Sequence, residues 1–143
     1  MARTKKLQTI QTLAESTETL RSKAVADRRF ALREEQRRLA QLEKYRSEYQ
    51  VMSTTTGEGM CIHFVRGRRG FVDRLNEAIE NQRVVVERAA EQLDSHLAQW
   101  RHARTRSLSL QKYAERQSEE EVRREERKEQ LELDDMGRRR PNR

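Results

Sequence analysis

The sequence predicts an all-α protein: two long helices folded into an antiparallel coiled-coil hairpin. Three observations carry that expectation. From Val72 to Ala114, thirteen positions recur at alternating gaps of three and four residues, and ten of them are apolar. A 3.5-residue period kept up this long describes a helix lying along another helix. Charged residues make up 38% of the chain and hydrophobic residues 34%. That is too little apolar material for a multilayer core, but a two-helix seam needs only two positions in seven. Finally, Gly57, Gly59, Gly67 and Gly70 crowd into one short stretch, as expected of a break between two helices.

The first helix is expected over residues 4–53. Its start shows a seam of Ile10, Leu13, Thr17, Leu20 and Ala24, and its end a seam of Leu42, Tyr45, Tyr49 and Met52. Between them, residues 27–38 keep only Phe30, Ala31 and Leu32 as apolar members, which predicts a register shift of the stutter kind. Residues 54–70 are expected to form a Gly-rich loop. The second helix is expected over 71–136, with Gly70 as N-cap and Asp73 favourably placed in the first turn. Gly137 offers a C-terminal cap, and 137–143 form a basic tail that includes Arg138, Arg139 and Arg140. At ~1.5 Å per residue each helix spans on the order of 75–100 Å. Folding back places residue i opposite roughly 124 − i. The seam gives way to charge near Gln117, so the end of the second helix is expected to fray without a partner.

The formal net charge is +7, with a basic first helix, a mildly acidic second helix and a basic C-terminus. Cys61 is the single cysteine, so no internal disulfide forms. No apolar run has the length of a signal peptide or a membrane span, and a soluble cytoplasmic protein is expected. The chain is expected to be monomeric when free.

Catalysis, cofactors and metal are not expected. Cys61 and His63 supply two ligands where a tetrahedral site needs four, and His96 occupies a seam position. Gly67-Arg68-Arg69-Gly70 lacks the Lys-Ser/Thr of a phosphate loop. Nucleic acid is not an expected partner either: Arg28-Arg29 and Arg37-Arg38 are interrupted by Glu34-Glu35, unlike a phosphate-tracking stripe. Tyr45, Tyr49, Phe64 and Phe71 gather at the hairpin end. They read either as packing beside the turn or as a docking patch, since Tyr and Phe commonly anchor interfaces.

Several segments resemble the short flagellar export proteins of the FliJ family. They are Leu7-Gln8-Thr9-Ile10 with Leu13-Ala14-Glu15, Tyr45-Arg46-Ser47-Glu48-Tyr49, Gly57-Glu58-Gly59, Phe71-Val72-Asp73-Arg74-Leu75-Asn76-Glu77-Ala78-Ile79-Glu80, Gln99-Trp100-Arg101 and Glu115-Arg116-Gln117. The resemblance covers nearly the whole chain in order. It implies a non-enzymatic component of the flagellar type III export apparatus, similar in fold to the central stalk of rotary ATPases. It implies three partners: the export ATPase ring, the cytoplasmic domain of the membrane export gate, and export chaperones. It also implies a location at the inner membrane beneath the flagellum, held there peripherally. Carried onto this sequence, the gate-docking surface maps to Phe71, Leu75, Ala78 and Gln82, with Leu42, Tyr45 and Tyr49 adjoining; Gln82 stands where the family often carries histidine. Arg138, Arg139 and Arg140 are candidates for contact with the ATPase. The readings left beside this one are a basic hairpin that binds nucleic acid, a generic scaffold, and the equivalent injectisome stalk.

Overall fold

The computed structural model describes residues 2–55 and 62–139, without the side chains of 53–55 and 62–64. Two helices account for all of them: α1, Ala2–Thr55, and α2, Ile62–Arg139. The helices pack against each other as an antiparallel hairpin. Residue numbers of cross-helix partners sum to between 117 and 126, bracketing the expected pairing. Cys61, Gly57, Gly59 and Arg140 lie outside the described residues, as do the side chains of His63 and Phe64.

All thirteen seam positions of α2 from Val72 to Ala114 are buried or half-buried, and so is Gln117. From Ser118 to Arg139 every residue is exposed. The helix nevertheless continues to Arg139 rather than ending near Met136, and Gly137 is inside it. Residues 118–136 contain no glycine or proline and are rich in Glu, Arg and Lys, which favour helix without burial. An i,i+4 pair, Arg123–Glu119, adds local support.

In α1 the seam is not the expected one. Ile10, Leu13 and Leu20 are 44%, 66% and 68% exposed, and Thr17 is exposed as well; of that set only Ala24 is half-buried. The residues turned toward α2 are Leu7, Gln11, Ala14 and Glu18, followed by Val25, Leu32, Leu39, Leu42, Arg46 and Tyr49. Arg21, Arg28 and Glu35 fill the intervals, so the gaps of three and four run unbroken and no stutter occurs. Tyr45 and Met52, expected in the seam, are exposed.

The seam tolerates polar residues because their side chains reach partners on α2. Arg21 Nη1 donates to Gln99 Oε1 and Arg28 Nη1 to Gln92 Oε1, each at 2.8 Å. Arg46 Nη1 donates to Asn76 Oδ1 at 3.3 Å. Gln82 Nε2 donates to both the backbone carbonyl and the carboxylate of Glu35, at 3.0 and 2.6 Å.

The packing divides into two compact units. One, Leu20–Trp100, buries Val25, Leu75 and, fully, Ile79. The other, Met1–Thr19 with Arg101–Arg143, buries only small side chains among its described residues: Ala14, Ala103 and Ser107. Small residues at a contact let two helices approach closely. Larger residues on the flanks, such as Ile10 and Leu13, are then left outside the contact.

Of the expected loop, 54–70, residues 54–55 and 62–70 are helical, since α1 runs to Thr55 and α2 begins at Ile62 and includes Gly67 and Gly70; the rest of it lies outside the described residues. Each glycine costs the helix about 1 kcal/mol relative to alanine. The opposing contribution comes from Arg68. It is four residues before Val72, so it extends the α2 seam backward, and its Nη2 donates to the carbonyl of Tyr49 at 3.4 Å. Gly70 therefore is not an N-cap, and Asp73 is well inside the helix.

Two stability measurements check this register. Ile79→Ala is expected to lower the unfolding free energy by about 2–5 kcal/mol in denaturant titration, and Leu20→Ala to change it by less than about 0.5 kcal/mol. Reversed magnitudes would restore the register written around Leu20. Gly67→Ala is expected to stabilise by about 0.5–1 kcal/mol, since a Cβ there meets nothing within 4 Å. A loss of helicity by circular dichroism would place the start of α2 after Gly67.

Candidate partner-docking surfaces

In the unit Leu20–Trp100, the first turns of α2 face the last turns of α1. The Tyr49 and Phe71 rings lie 4.8 Å apart between centroids at 42°, a tilted pair within the range of favourable aromatic contacts. The Arg68 guanidinium lies over the Tyr49 ring, 5.2 Å from its centroid. Tyr49 is half-buried, whereas Phe71 and Tyr45 are 44% and 56% exposed. The outcome is an aromatic surface whose central ring is held from two sides.

The residues carried over from the family resemblance divide by burial. Phe71 presents a face to solvent. Leu75 is buried in the hairpin, and Ala78 is half-buried beside Ile79. Gln82 is half-buried and its amide is engaged with Glu35 across the seam. Leu42 is half-buried on the opposite helix. Arg68 was missed because it falls between two glycines. The signal was present: counting the α2 seam back four residues from Val72 arrives at it. Nearby, Arg83 reaches Glu43 of α1 at 3.7 Å and Glu80 of its own helix at 2.6 Å.

In the unit Met1–Thr19 with Arg101–Arg143, a shallow groove is lined by Ile10, Leu13, Ala14, Thr17, Ala103 and Arg106. On the other flank, Glu18 pairs with Arg104 at 3.6 Å. Arg138 and Arg139 are in the last turn of α2, where cations favour the negative end of the helix dipole. Both are exposed.

Among the described residues there is no group of three or more His, Cys, Asp or Glu placed to hold a metal ion. None of the described helices is long and apolar enough to cross a membrane. His96 is half-buried in the seam, and its Nδ1 has no hydrogen-bond partner there.

Two long helices packed against each other define an all-α coiled-coil hairpin. The chain belongs to the flagellar FliJ protein family, whose model matches residues 4–143. That membership makes it a protein of flagellar type III export. Comparison with the curated proteins gives no match.

The stacked contact is checked by a double-mutant cycle between Arg68→Ala and Tyr49→Leu. The expected coupling is about 0.5–1 kcal/mol, as for an exposed cation–π pair. Strict additivity would remove Arg68 from the account of this surface.

Proposed function

We propose that this chain is a non-enzymatic stalk of the flagellar export apparatus, one that promotes assembly of the export ATPase ring and couples it to the cytoplasmic domain of the membrane export gate. Export chaperones are further partners in this reading. Its place is the cytoplasm, held peripherally at the inner membrane beneath the flagellum. The observation that carries it is the half-exposed Phe71, stacked on a Tyr49 ring that Arg68 also contacts. An anchor ordered before binding loses little side-chain freedom on docking.

On this reading Phe71 is the residue that touches the gate, with Tyr45 beside it. Leu75, Ala78 and Gln82 form the support, through their packing and through the Gln82–Glu35 bonds. The ATPase contact is the segment toward Arg138 and Arg139, which are exposed; Arg140 extends the same basic stretch in the sequence. The coupling is mechanical: binding at one end biases the other only where the hairpin binds the partner's states unequally.

The test uses the full chain with the purified ATPase and the gate's cytoplasmic domain. The wild-type chain is expected to capture the ATPase and raise ring assembly and ATP turnover. Phe71→Ala is expected to weaken gate binding at least about tenfold, the loss typical of an anchor residue, with an unchanged melting temperature. Leu75→Ala is expected to lower the melting temperature first. Normal gate binding by Phe71→Ala would remove the docking assignment, and absence of ATPase capture would remove the stalk reading.

A further inference from the structure

The groove beside Ile10 and Leu13 and the uncovered segment 118–139 belong to the same unit and have opposite character. The groove's α1 side is basic: residues 2–14 contain Arg3, Lys5 and Lys6 and no acid. Residues 118–139 carry nine acidic and six basic side chains, and Leu131, Leu133 and Met136 among them are exposed. Ile10, Leu13 and Tyr113 are exposed as well. The chain therefore holds both an apolar groove with a basic rim and an acidic helix with uncovered apolar side chains.

We propose that the groove receives the 118–139 segment of a second copy of this chain, reciprocally, so that two copies join through antiparallel α2 helices. The register follows from the sequence. The α2 face that carries Arg106 continues at gaps of three and four through Leu110, Tyr113, Gln117, Glu120, Arg124, Arg127, Leu131 and Asp134. Laid antiparallel on a second copy, this face brings Arg106 to Asp134, Leu110 to Leu131, Tyr113 to Arg127 and Gln117 to Arg124. The partner numbers sum to 240 or 241 each time. These are an ion pair, an apolar pair, a ring beneath a guanidinium, and a hydrogen-bonding pair. At the axis Glu120 meets Glu120 of the second copy, a like-charge contact that weakens association and that Arg124, four residues on in each copy, offsets.

Helix α1 runs antiparallel to its own α2, hence parallel to the incoming segment. The same register sets Lys5 and Lys6 beside Glu125 and Glu126 of the second copy, and Ile10 and Leu13 beside its Leu131 and Leu133. The two-fold axis repeats every contact, as an isologous interface requires. Ile10 and Leu13, expected inside the hairpin seam, are exposed and so are available to a second copy. A seated 118–139 segment is unavailable to any other partner, so self-association and ring binding exclude each other.

Sedimentation equilibrium of the full chain, from micromolar to millimolar, tests this directly. The mean mass is expected to rise from 17.1 kDa toward twice that value. Lys5→Glu with Lys6→Glu is expected to weaken association by about tenfold. Adding Glu125→Lys and Glu126→Lys to the same chain is expected to restore it. Leu13→Glu, at a solvent-facing site, is expected to abolish association with unchanged helicity. A monomer mass at every concentration overturns the proposal, and so does an association indifferent to the charge reversals. ATPase capture is read separately, so either outcome leaves the stalk reading to its own test.

Discussion

Everything in this molecule depends on two helices keeping one 3.5-residue period in step. A straight helix drifts by about 20° per heptad from that period. Only a sustained seam keeps the same faces together. Here α2 supplies most of the apolar side chains, and α1 meets them with a mixed row in which Arg21, Arg28, Glu35 and Arg46 alternate with Val25, Leu32, Leu39 and Leu42. The apolar members supply adhesion. The polar members contribute little net energy at exposed sites, but each has its donor or acceptor satisfied across the interface. Their role is alignment, the use best attested for polar residues in coiled-coil seams.

That division of labour explains why so much surface remains available for partners. Where the seam is made of Ala14, Ala103 and Ser107, the larger apolar side chains are left on the flanks. Where it is made of Leu75 and Ile79, the aromatic residues are carried just outside, with Tyr49 half in and Phe71 half out. A thin core thus places side chains capable of anchoring a partner on rigid helices rather than loops.

The α2 seam from Val72 to Ala114 was legible in the sequence residue by residue, because it is apolar enough to be counted. The paired arrangement and the fading of the seam at Gln117 were legible for the same reason. Helix α1 was not. Ile10, Leu13, Thr17 and Leu20 form a clearer apolar row than Leu7, Gln11, Ala14 and Glu18, and periodicity alone selects the clearer row. The choice is decided by the partner: Gln99, Gln92 and Asn76 stand where Arg21, Arg28 and Arg46 can bond to them. A single-helix pattern does not contain that information. Gly67 and Gly70 misled in the opposite way, since a helix-breaking tendency of about 1 kcal/mol each is overridden by tertiary contact. Of the carried-over surface residues, Phe71 and Tyr45 are exposed as a docking role requires, while Leu75 belongs to the interior.

The bonds from Arg21 to Gln99 and from Arg28 to Gln92 stand seven residues apart on each helix. They tie particular residues of one helix to particular residues of the other, and this constrains how the chain can change in length. A deletion or insertion of one or two residues within either helix rotates every later side chain off the seam and separates arginine from amide. A change of seven residues, made in both helices together, leaves the facing rows intact. Elsewhere, variation in length has to be accommodated in the segment that joins Thr55 to Ile62, or beyond Gln117, where no facing residue on α1 sets the count.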